Sequence, residues 1–164
     1  RSSSWILWQV IDNHISKDGY NGRKDKGMVN VNGGFWGLAV ADHDNNKIIL
    51  TQKYYAMGQL TRYIRPGYTI ISCANANSVA AYDSEGKKLI VVATNKTGGK
   101  RTIDVDMSQF TKVGDAVKVI RTSGGISNGE SWKELNPIET YGKGFNAELI
   151  PNSVTTFIVE GVEK

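Results

Sequence analysis

Thr51-Gln-Lys-Tyr-Tyr-Ala-Met-Gly-Gln-Leu-Thr-Arg-Tyr-Ile-Arg-Pro-Gly67 decides the fold, because it carries the clearest periodic pattern in the sequence. Its apolar residues recur every three or four positions, a spacing that predicts an amphipathic helix with one buried face. That face is formed by Tyr54, Met57, Leu60 and Ile64. Thr51 suits the N-cap position. Pro66 ends the helix because its ring lacks an N–H and disfavours helical backbone at the residue before it.

The residues before the helix predict the remainder of a single βα unit. Residues 5–11, Trp-Ile-Leu-Trp-Gln-Val-Ile, form a short apolar run that is typical of a strand buried on both faces. Residues 12–34 are polar and dotted with glycine, which predicts an unusually long loop. Residues 35–41 and 47–50 flank the turn-forming sequence Asp42-His-Asp-Asn-Asn46, so we expect a hairpin inserted between the loop and the helix.

After Gly67 the pattern changes to short strands at close spacing, which is typical of an all-β sandwich or barrel. Alternation of apolar and polar residues is clearest in Ile103-Asp-Val-Asp-Met107, which predicts one buried and one solvated face. The sequence therefore predicts a mainly β fold in two parts. Residues 1–66 form the βα unit and residues 67–164 form a β-sandwich. The predicted sandwich strands are residues 68–72, 78–82, 88–94, 102–106, 116–122, 145–149 and 154–160.

The composition limits the classes of protein that the chain can represent. Its 164 residues suffice for one well-buried domain or a domain with part of a second, and 18 glycines against 3 prolines favour many tight turns. The formal charge of +4 comes from 20 basic and 16 acidic residues scattered along the chain, so we expect no nucleic-acid partner. No apolar run reaches the roughly 18 residues of a membrane span. Cys73 is the single cysteine, which excludes an intrachain disulfide.

No pattern in the sequence predicts a metal site or a cofactor. His14 and His43 have no Asp, Glu or His at a helical metal-ligand spacing. The glycine pairs in Asn32-Gly-Gly34 and Thr97-Gly-Gly99 lack the strand and helix of a phosphate-binding loop, so we interpret them as turns. Asn95-Lys-Thr97 matches the glycosylation acceptor pattern, which matters only in a eukaryotic secretory setting.

Tryptophan offers flat apolar faces on which the C–H groups of sugar rings stack, while core packing is the simpler explanation for any one of them. The chain has four, and they are Trp5, Trp8, Trp36 and Trp132. Trp132 follows Asn-Gly-Glu-Ser in a polar segment, so we expect it in a partly exposed loop.

The helix sequence from Lys53 to Gly67 resembles the last barrel helix of glycoside hydrolase family 30, especially its endo-β-1,6-galactanase-like members. Residues 5–9, Trp-Ile-Leu-Trp-Gln, are similar to that family's last barrel strand, and Ser153-Val-Thr-Thr-Phe157 is similar to the end of its side β-sandwich. The resemblance thus covers nearly the whole chain. It implies the eighth strand and helix of a (β/α)8 barrel, followed by most of a β-sandwich.

The resemblance also implies what this chain lacks. Enzymes of the family retain anomeric configuration with two glutamates on earlier barrel strands, so no residue here inherits a catalytic role. We expect the C-terminal part of a secreted hydrolase, inactive alone, with a β-galactan or related β-glycan as substrate. The sequence begins Arg1-Ser-Ser-Ser4, without an initiator methionine, so it could be a processed protein or a fragment, and the resemblance favours a fragment. The missing barrel segment or self-association should cover the exposed faces.

Sugar contacts are expected where the loops after barrel strands form the catalytic mouth. Trp8 is the best candidate, and Trp5, Tyr20 and Trp36 are weaker ones. The alternative function is an independent carbohydrate-binding module, which needs a row of exposed aromatic side chains on the sandwich. The candidates there are few, which favours a sandwich that buttresses the barrel. They are Trp132, Tyr68, Tyr82 and Tyr141.

Overall fold

The computed structural model describes residues 6–7, 9–15, 37–125 and 127–164. It is mainly β, as predicted, with one helix among those residues. The chain divides into two compact units, Arg1–Tyr55 and Ala56–Lys164. The domain boundary expected between residues 66 and 67 stays a prediction. The helix that the structure describes is neither long nor apolar enough to cross a membrane.

The first unit contains a small mixed sheet. Strands β1 (Ile11–Ile15), β2 (Ala39–Asp42) and β3 (Lys47–Leu50) lie in the order β1-β2-β3. β1 and β2 are parallel, and β2 and β3 form an antiparallel hairpin in which Asp42 lies opposite Lys47. The predicted hairpin is therefore confirmed. Its turn is held by Asp42, whose carboxylate accepts hydrogen bonds from the backbone and side-chain nitrogens of Asn45 at 3.2 and 2.9 Å.

The strand predicted at residues 5–11 is wrong in position. Within the described part of this segment, residues 6, 7, 9 and 10 are not in a strand, and β1 begins only at Ile11. Ladder bonds start just before it, where the carbonyls of Gln9 and Val10 accept from Leu38 and Ala39 at 3.2 and 2.8 Å. The position of a strand is set by its partner, here β2, and the apolar run alone does not reveal that partner.

Helix α1 (Gln52–Thr61) begins directly after Thr51, as predicted. The Thr51 carbonyl accepts from the N–H of Tyr54 at 3.0 Å, and its hydroxyl donates to the Leu38 carbonyl at 2.7 Å, which ties the start of the helix to the residue before β2. Helical bonding extends to Ile64, whose N–H donates to the Leu60 carbonyl at 2.8 Å.

The predicted buried face of α1 is wrong. Its four apolar residues are only half-buried, and the fully buried positions of the helix are Gly58 and Gln59. Gly58 is buried because the Trp132 ring occupies the space that a Cβ would need. The spacing of apolar residues in the sequence does not reveal this buried face, because the face consists of a glycine and an amide side chain.

The second unit contains a β-sandwich. A six-stranded antiparallel sheet in the order β4-β5-β6-β11-β8-β9 packs against a two-stranded sheet, β10-β7. Every strand predicted after Gly67 is confirmed to within two residues at each end. The strands are β4 (Thr69–Ile71), β5 (Ser78–Asp83), β6 (Lys88–Asn95), β7 (Arg101–Asp106), β8 (Ala116–Ser123), β9 (Glu130–Glu139), β10 (Gly144–Leu149) and β11 (Ser153–Glu160).

Strand β9 was not predicted, and Trp132 therefore lies in a strand rather than in the expected loop. β9 is the edge of the large sheet, and it carries Pro137 and many charged residues. Such residues are tolerated at edges, where they discourage pairing with other chains. They also interrupt the alternation of apolar and polar residues by which a strand is recognised in a sequence. Its pairing with β8 is interrupted by register shifts, and Trp132 has a φ of 52°.

The core fills the space between the two sheets. Its largest members are aromatic: Phe145 and Phe157 are 0% and 1% exposed, with ring centroids 5.3 Å apart. Tyr82 packs on Phe110 at 5.3 Å and donates its hydroxyl to the Val162 carbonyl at 3.0 Å. Tyr82 is thus a core residue and not an exposed sugar platform.

Truncating the centre of this core should destabilise the fold strongly. Phe145→Ala is expected to lower the free energy of unfolding by about 3–5 kcal/mol, because it removes buried contacts and leaves a cavity. Val79→Ala, at a half-exposed position, is the control and should cost within about 0.5 kcal/mol. Urea denaturation followed by circular dichroism measures both. Equal losses for the two variants would contradict this description of the core.

Candidate functional site

The outer face of the six-stranded sheet carries the features that the core does not explain. Along each strand of this sheet, every second residue points away from the sandwich core. Ile120 and Thr122 of β8 and Thr156 of β11 are each less than 5% exposed, although none belongs to the core cluster. They are buried from the other side, where the second half of α1 supplies Gln59.

Gln59 joins the helix to two adjacent interior strands of this face, β8 and β11. Its side chain is 0% exposed. Its Nε2 donates to the Thr122 hydroxyl at 2.9 Å, and its Oε1 accepts from the Thr156 hydroxyl at 2.6 Å. The Thr122 oxygen also accepts from the backbone N–H of Trp132 at 3.3 Å. We call these bonds the Gln59 clamp; they connect the helix, β8, β11 and β9.

A cleft of about 360 Å³ opens on the same face, beyond the end of the helix. Three isoleucines, one each from β6, β8 and β11, form its apolar side. Aromatic rings and two arginines also line it. We call this the aromatic cleft, and its principal residues are Arg62, Tyr63, Arg65, Tyr68, Ile90, Ile120, Trp132 and Ile158.

The charges of the aromatic cleft are unbalanced. Its two carboxylates are paired with lysines, Glu160 with Lys88 at 3.2 Å and Glu134 with Lys118 at 2.9 Å. These pairs are exposed, so each contributes little to stability. No ion pair joins Arg62 or Arg65 to a carboxylate among the described residues.

Both arginines are nevertheless held in place. The Arg62 guanidinium lies over the Trp132 ring, 4.8 Å from its centroid, and 5.6 Å from that of Tyr63. Such cation–π contacts orient the planar group without using its N–H donors. Arg65 donates from Nη1 to the Thr61 carbonyl at 2.6 Å. Burial and a hydrogen bond to Asp83 raise the pKa of Tyr68, so its hydroxyl stays protonated at neutral pH.

A charged network fixes the strand pair that carries Trp132. Arg121 donates from Nε and Nη2 to the two carboxylate oxygens of Glu130, at 2.5 and 2.9 Å. Ser123 donates to the same carboxylate at 2.9 Å, and Lys133 lies 3.1 Å from it. These bonds, with Arg121 the largest cause, lower the pKa of Glu130 to about 2. Glu130 is therefore a structural anion and not an acid–base group at neutral pH.

The structure separates the aromatic residues that the sequence singled out. It brings Trp132 and Tyr68 together in the aromatic cleft. Tyr141 is 52% exposed and donates to Asp104 at 2.9 Å, away from that cleft. Sequence reasoning missed Arg62, although it lies next to the helix, because the search for sugar contacts considered aromatic side chains only.

The predicted sugar contacts Trp5, Trp8, Tyr20 and Trp36 lie outside the described residues and stay predictions.

The glycosylation acceptor pattern at Asn95 is not a modification site in this fold. Asn95 is 3% exposed. Its Nδ2, the atom that would carry a glycan, donates to the carbonyls of Gly99, Leu149 and Ile150 at 2.8 to 3.0 Å. Its Oδ1 accepts from the backbone and the hydroxyl of Thr97. The side chain is thus a structural bridge between two loops.

Solved structures of family GH30 xylanases share the fold of this chain. A family GH30 subfamily 8 xylanase from Clostridium acetobutylicum matches 79% of this chain and 32% of its own, with a TM-score of 0.61 and 22% identity. A GH30 endoxylanase from Clostridium papyrosolvens C71 matches 68% of this chain and 28% of its own, with a TM-score of 0.56 and 20% identity. At these identities the likeness establishes the fold alone.

A sequence comparison gives a further relative. An endo-beta-1,6-galactanase from Hypocrea rufa is 30% identical over 162 residues, which are 98% of this chain and 29% of that enzyme. No family model matches the sequence. The resemblance inferred from the residues is confirmed: the chain is similar to the C-terminal portion of a glycoside hydrolase of the family 30 type. It spans less than a third of the relatives that it matches.

Removing the Gln59 clamp should destabilise the second unit. Gln59→Ala deletes a buried amide and two hydrogen bonds, and we expect a loss of about 2–4 kcal/mol in the free energy of unfolding. Gln109→Ala, at an exposed position, is the matched control. Chemical denaturation measures both variants. A Gln59→Ala protein as stable as the control would show that the clamp contributes nothing.

The Glu130 network predicts a defined pH dependence. The folded pKa of about 2 lies below the reference value of 4.5, so the network stabilises the fold fully above pH 4.5 and loses this effect as the pH falls towards 2. The difference in melting temperature between wild type and Glu130→Gln should therefore be largest at neutral pH and shrink in acid. Glu85→Gln, on an exposed turn, is the control. A difference that stays constant from pH 7 to pH 2.5 would contradict the assignment.

Proposed function

We propose that this chain is the C-terminal part of a secreted glycoside hydrolase that acts on a β-galactan or a related β-linked glycan. The similarity to the galactanase over almost the whole chain supports the substrate class. In this proposal the first unit completes the catalytic barrel, and the sandwich buttresses it. The catalytic glutamates belong to the preceding part of the enzyme, and the chain alone is inactive.

The Gln59 clamp carries the buttressing role. In this proposal α1 is the last helix of the barrel, and a buttress must hold that helix rigidly. A buried amide with both its oxygen and its nitrogen bonded to adjacent interior strands does so, because any shift of the helix leaves buried polar groups without partners. The sheet that receives the clamp packs on its own aromatic core.

The hairpin supports a substrate site at the mouth of the proposed barrel, where the loops after the strands lie. In (β/α)8 barrels the active site lies at the carboxyl ends of the strands. Since β1 and β2 are parallel with Ile15 opposite Asp42, their carboxyl ends lie at the same edge. The turn that follows Asp42 starts at this edge. Lys47, 3.7 Å from the Asp42 carboxylate, and the Asn45 bonds fix that turn.

Two features support a missing partner segment. Apolar side chains of the first unit are exposed: Ile6 by 88%, Val10 by 62% and Ile48 by 54%. In the second unit β7 pairs only with β10 among the described residues, and a groove of about 270 Å³ runs beside it. We propose that the preceding part of the enzyme covers both, through barrel strands in the first unit and a sandwich strand in the second.

The alternative function, a carbohydrate-binding module, is favoured by one observation. Trp132, Tyr63 and Tyr68 share the aromatic cleft on the sandwich face. The three rings do not form a flat exposed row, because Arg62 covers Trp132. This arrangement suits a single enclosed sugar residue better than the surface of a long neutral polysaccharide.

The proposal predicts an inactive chain that associates with itself. Incubation with β-1,6-galactan should release no reducing sugar, and light scattering should give a mass above 18.0 kDa because uncovered apolar surface seldom stays exposed on a monomer. Ile48→Ser should reduce the association, and Val79→Ser in the second unit should not. Hydrolysis by the chain alone, or a monodisperse monomer that binds no hydrophobic dye, would overturn the proposal.

A further inference from the structure

We propose that the aromatic cleft binds the carboxylate of a uronic acid residue in a glycan. This goes beyond the proposed function, since it gives the sandwich a ligand of its own and does not depend on catalysis. The proposal rests on three features of the cleft: two guanidinium groups without carboxylate partners in the described part of the chain, an apolar side of isoleucines, and walls whose charges are already paired.

The guanidinium groups supply the recognition of an anion. Arg62 is held by ring faces, which leave its N–H donors available, and Arg65 uses one of its nitrogens on a backbone carbonyl. The fork of N–H groups on an arginine matches the two oxygens of a carboxylate. An arginine already oriented by packing loses less side-chain entropy on binding than a mobile one.

The apolar side of the cleft supplies the recognition of a ring. Ile158 is the partly exposed member of this side, and Ile90 and Ile120, each 2% exposed, support it from below. A pyranose ring has a face of C–H groups that packs on such a surface, while its hydroxyl groups reach polar atoms at the rim. A volume of about 360 Å³ lies at the small end of the range for ligand sites and suits one or two sugar rings.

The charge balance favours a singly charged sugar. The walls contain the ion pairs Lys88–Glu160 and Lys118–Glu134, which add no net charge and whose atoms can bond to hydroxyl groups. Two arginines remain, enough for one carboxylate. A polyphosphate or nucleic-acid backbone would need more unpaired cations than the cleft provides.

Binding is tested by titrating the 164-residue chain, labelled with ¹⁵N, with methyl β-D-glucuronide and with methyl β-D-glucopyranoside. The two probes share a ring and differ in the carboxylate. We expect the glucuronide to shift the signals of the Trp132 indole N–H and the Arg62 side chain, with an affinity at least about tenfold above that of the neutral sugar, a difference of about 1.4 kcal/mol. Equal affinities for the two sugars would overturn the proposal.

Two small anions and two variants complete the test. Acetate and inorganic phosphate should bind at least tenfold more weakly than the glucuronide; an equal affinity would show a bare anion site and overturn the sugar assignment. Arg62→Gln should lower glucuronide affinity at least tenfold, and Arg101→Gln on β7 should not. Melting curves verify that both variants fold. Unchanged binding by a folded Arg62→Gln protein would refute the site while leaving the proposed hydrolase assignment intact.

Discussion

The packing of helix α1 on the large sheet depends on the buried amide of Gln59. A fully buried amide is costly unless each of its polar atoms has a partner. Here the partners are threonine hydroxyls on two adjacent interior strands of the large sheet, β8 and β11. The helix can therefore occupy one position on that sheet. Gly58 reinforces this choice, because it lets the helix approach Trp132 closely.

This one constraint links the features of the sheet face. The Thr122 hydroxyl oxygen accepts hydrogen bonds from both Gln59 Nε2 and the backbone N–H of Trp132. The clamp therefore also fixes the strand that carries the indole ring. Glu130 anchors the same strand through Arg121. The ring in turn orients Arg62. Helix position, edge strand and cleft thus form one connected network of polar and aromatic contacts.

The sequence predicts most of the sandwich because its strands obey the period of two, as in Ile103-Asp-Val-Asp-Met107. It predicts the hairpin because Asp42 and Asn45 make turn-forming bonds locally. It fails where the deciding interaction is remote. The burial of Gln59 depends on threonines more than sixty positions away. The edge strand β9 was not predicted because its charged residues interrupt the alternating apolar pattern.

The candidate site was only partly predictable for the same reason. Trp132 and Tyr68 are visible as aromatic residues, but their meeting with Arg62 in one cleft depends on the pairing of β9 with β8 and on the position of the helix end. The family resemblance relates the chain to the C-terminal portion of a glycoside hydrolase. It does not reveal this cleft, since the cleft comes from the packing of these particular side chains.

A double-mutant cycle between Gln59 and Thr156 tests the central claim most directly. Gln59→Ala, Thr156→Val and the double variant are unfolded with urea, and the coupling energy is calculated from the free energies of unfolding. If the clamp holds the helix on the sheet, the two losses overlap and the coupling is about 1–3 kcal/mol, as found for contacting residues in one network. Losses that add to within about 0.5 kcal/mol would show that the two residues act independently and would contradict the account.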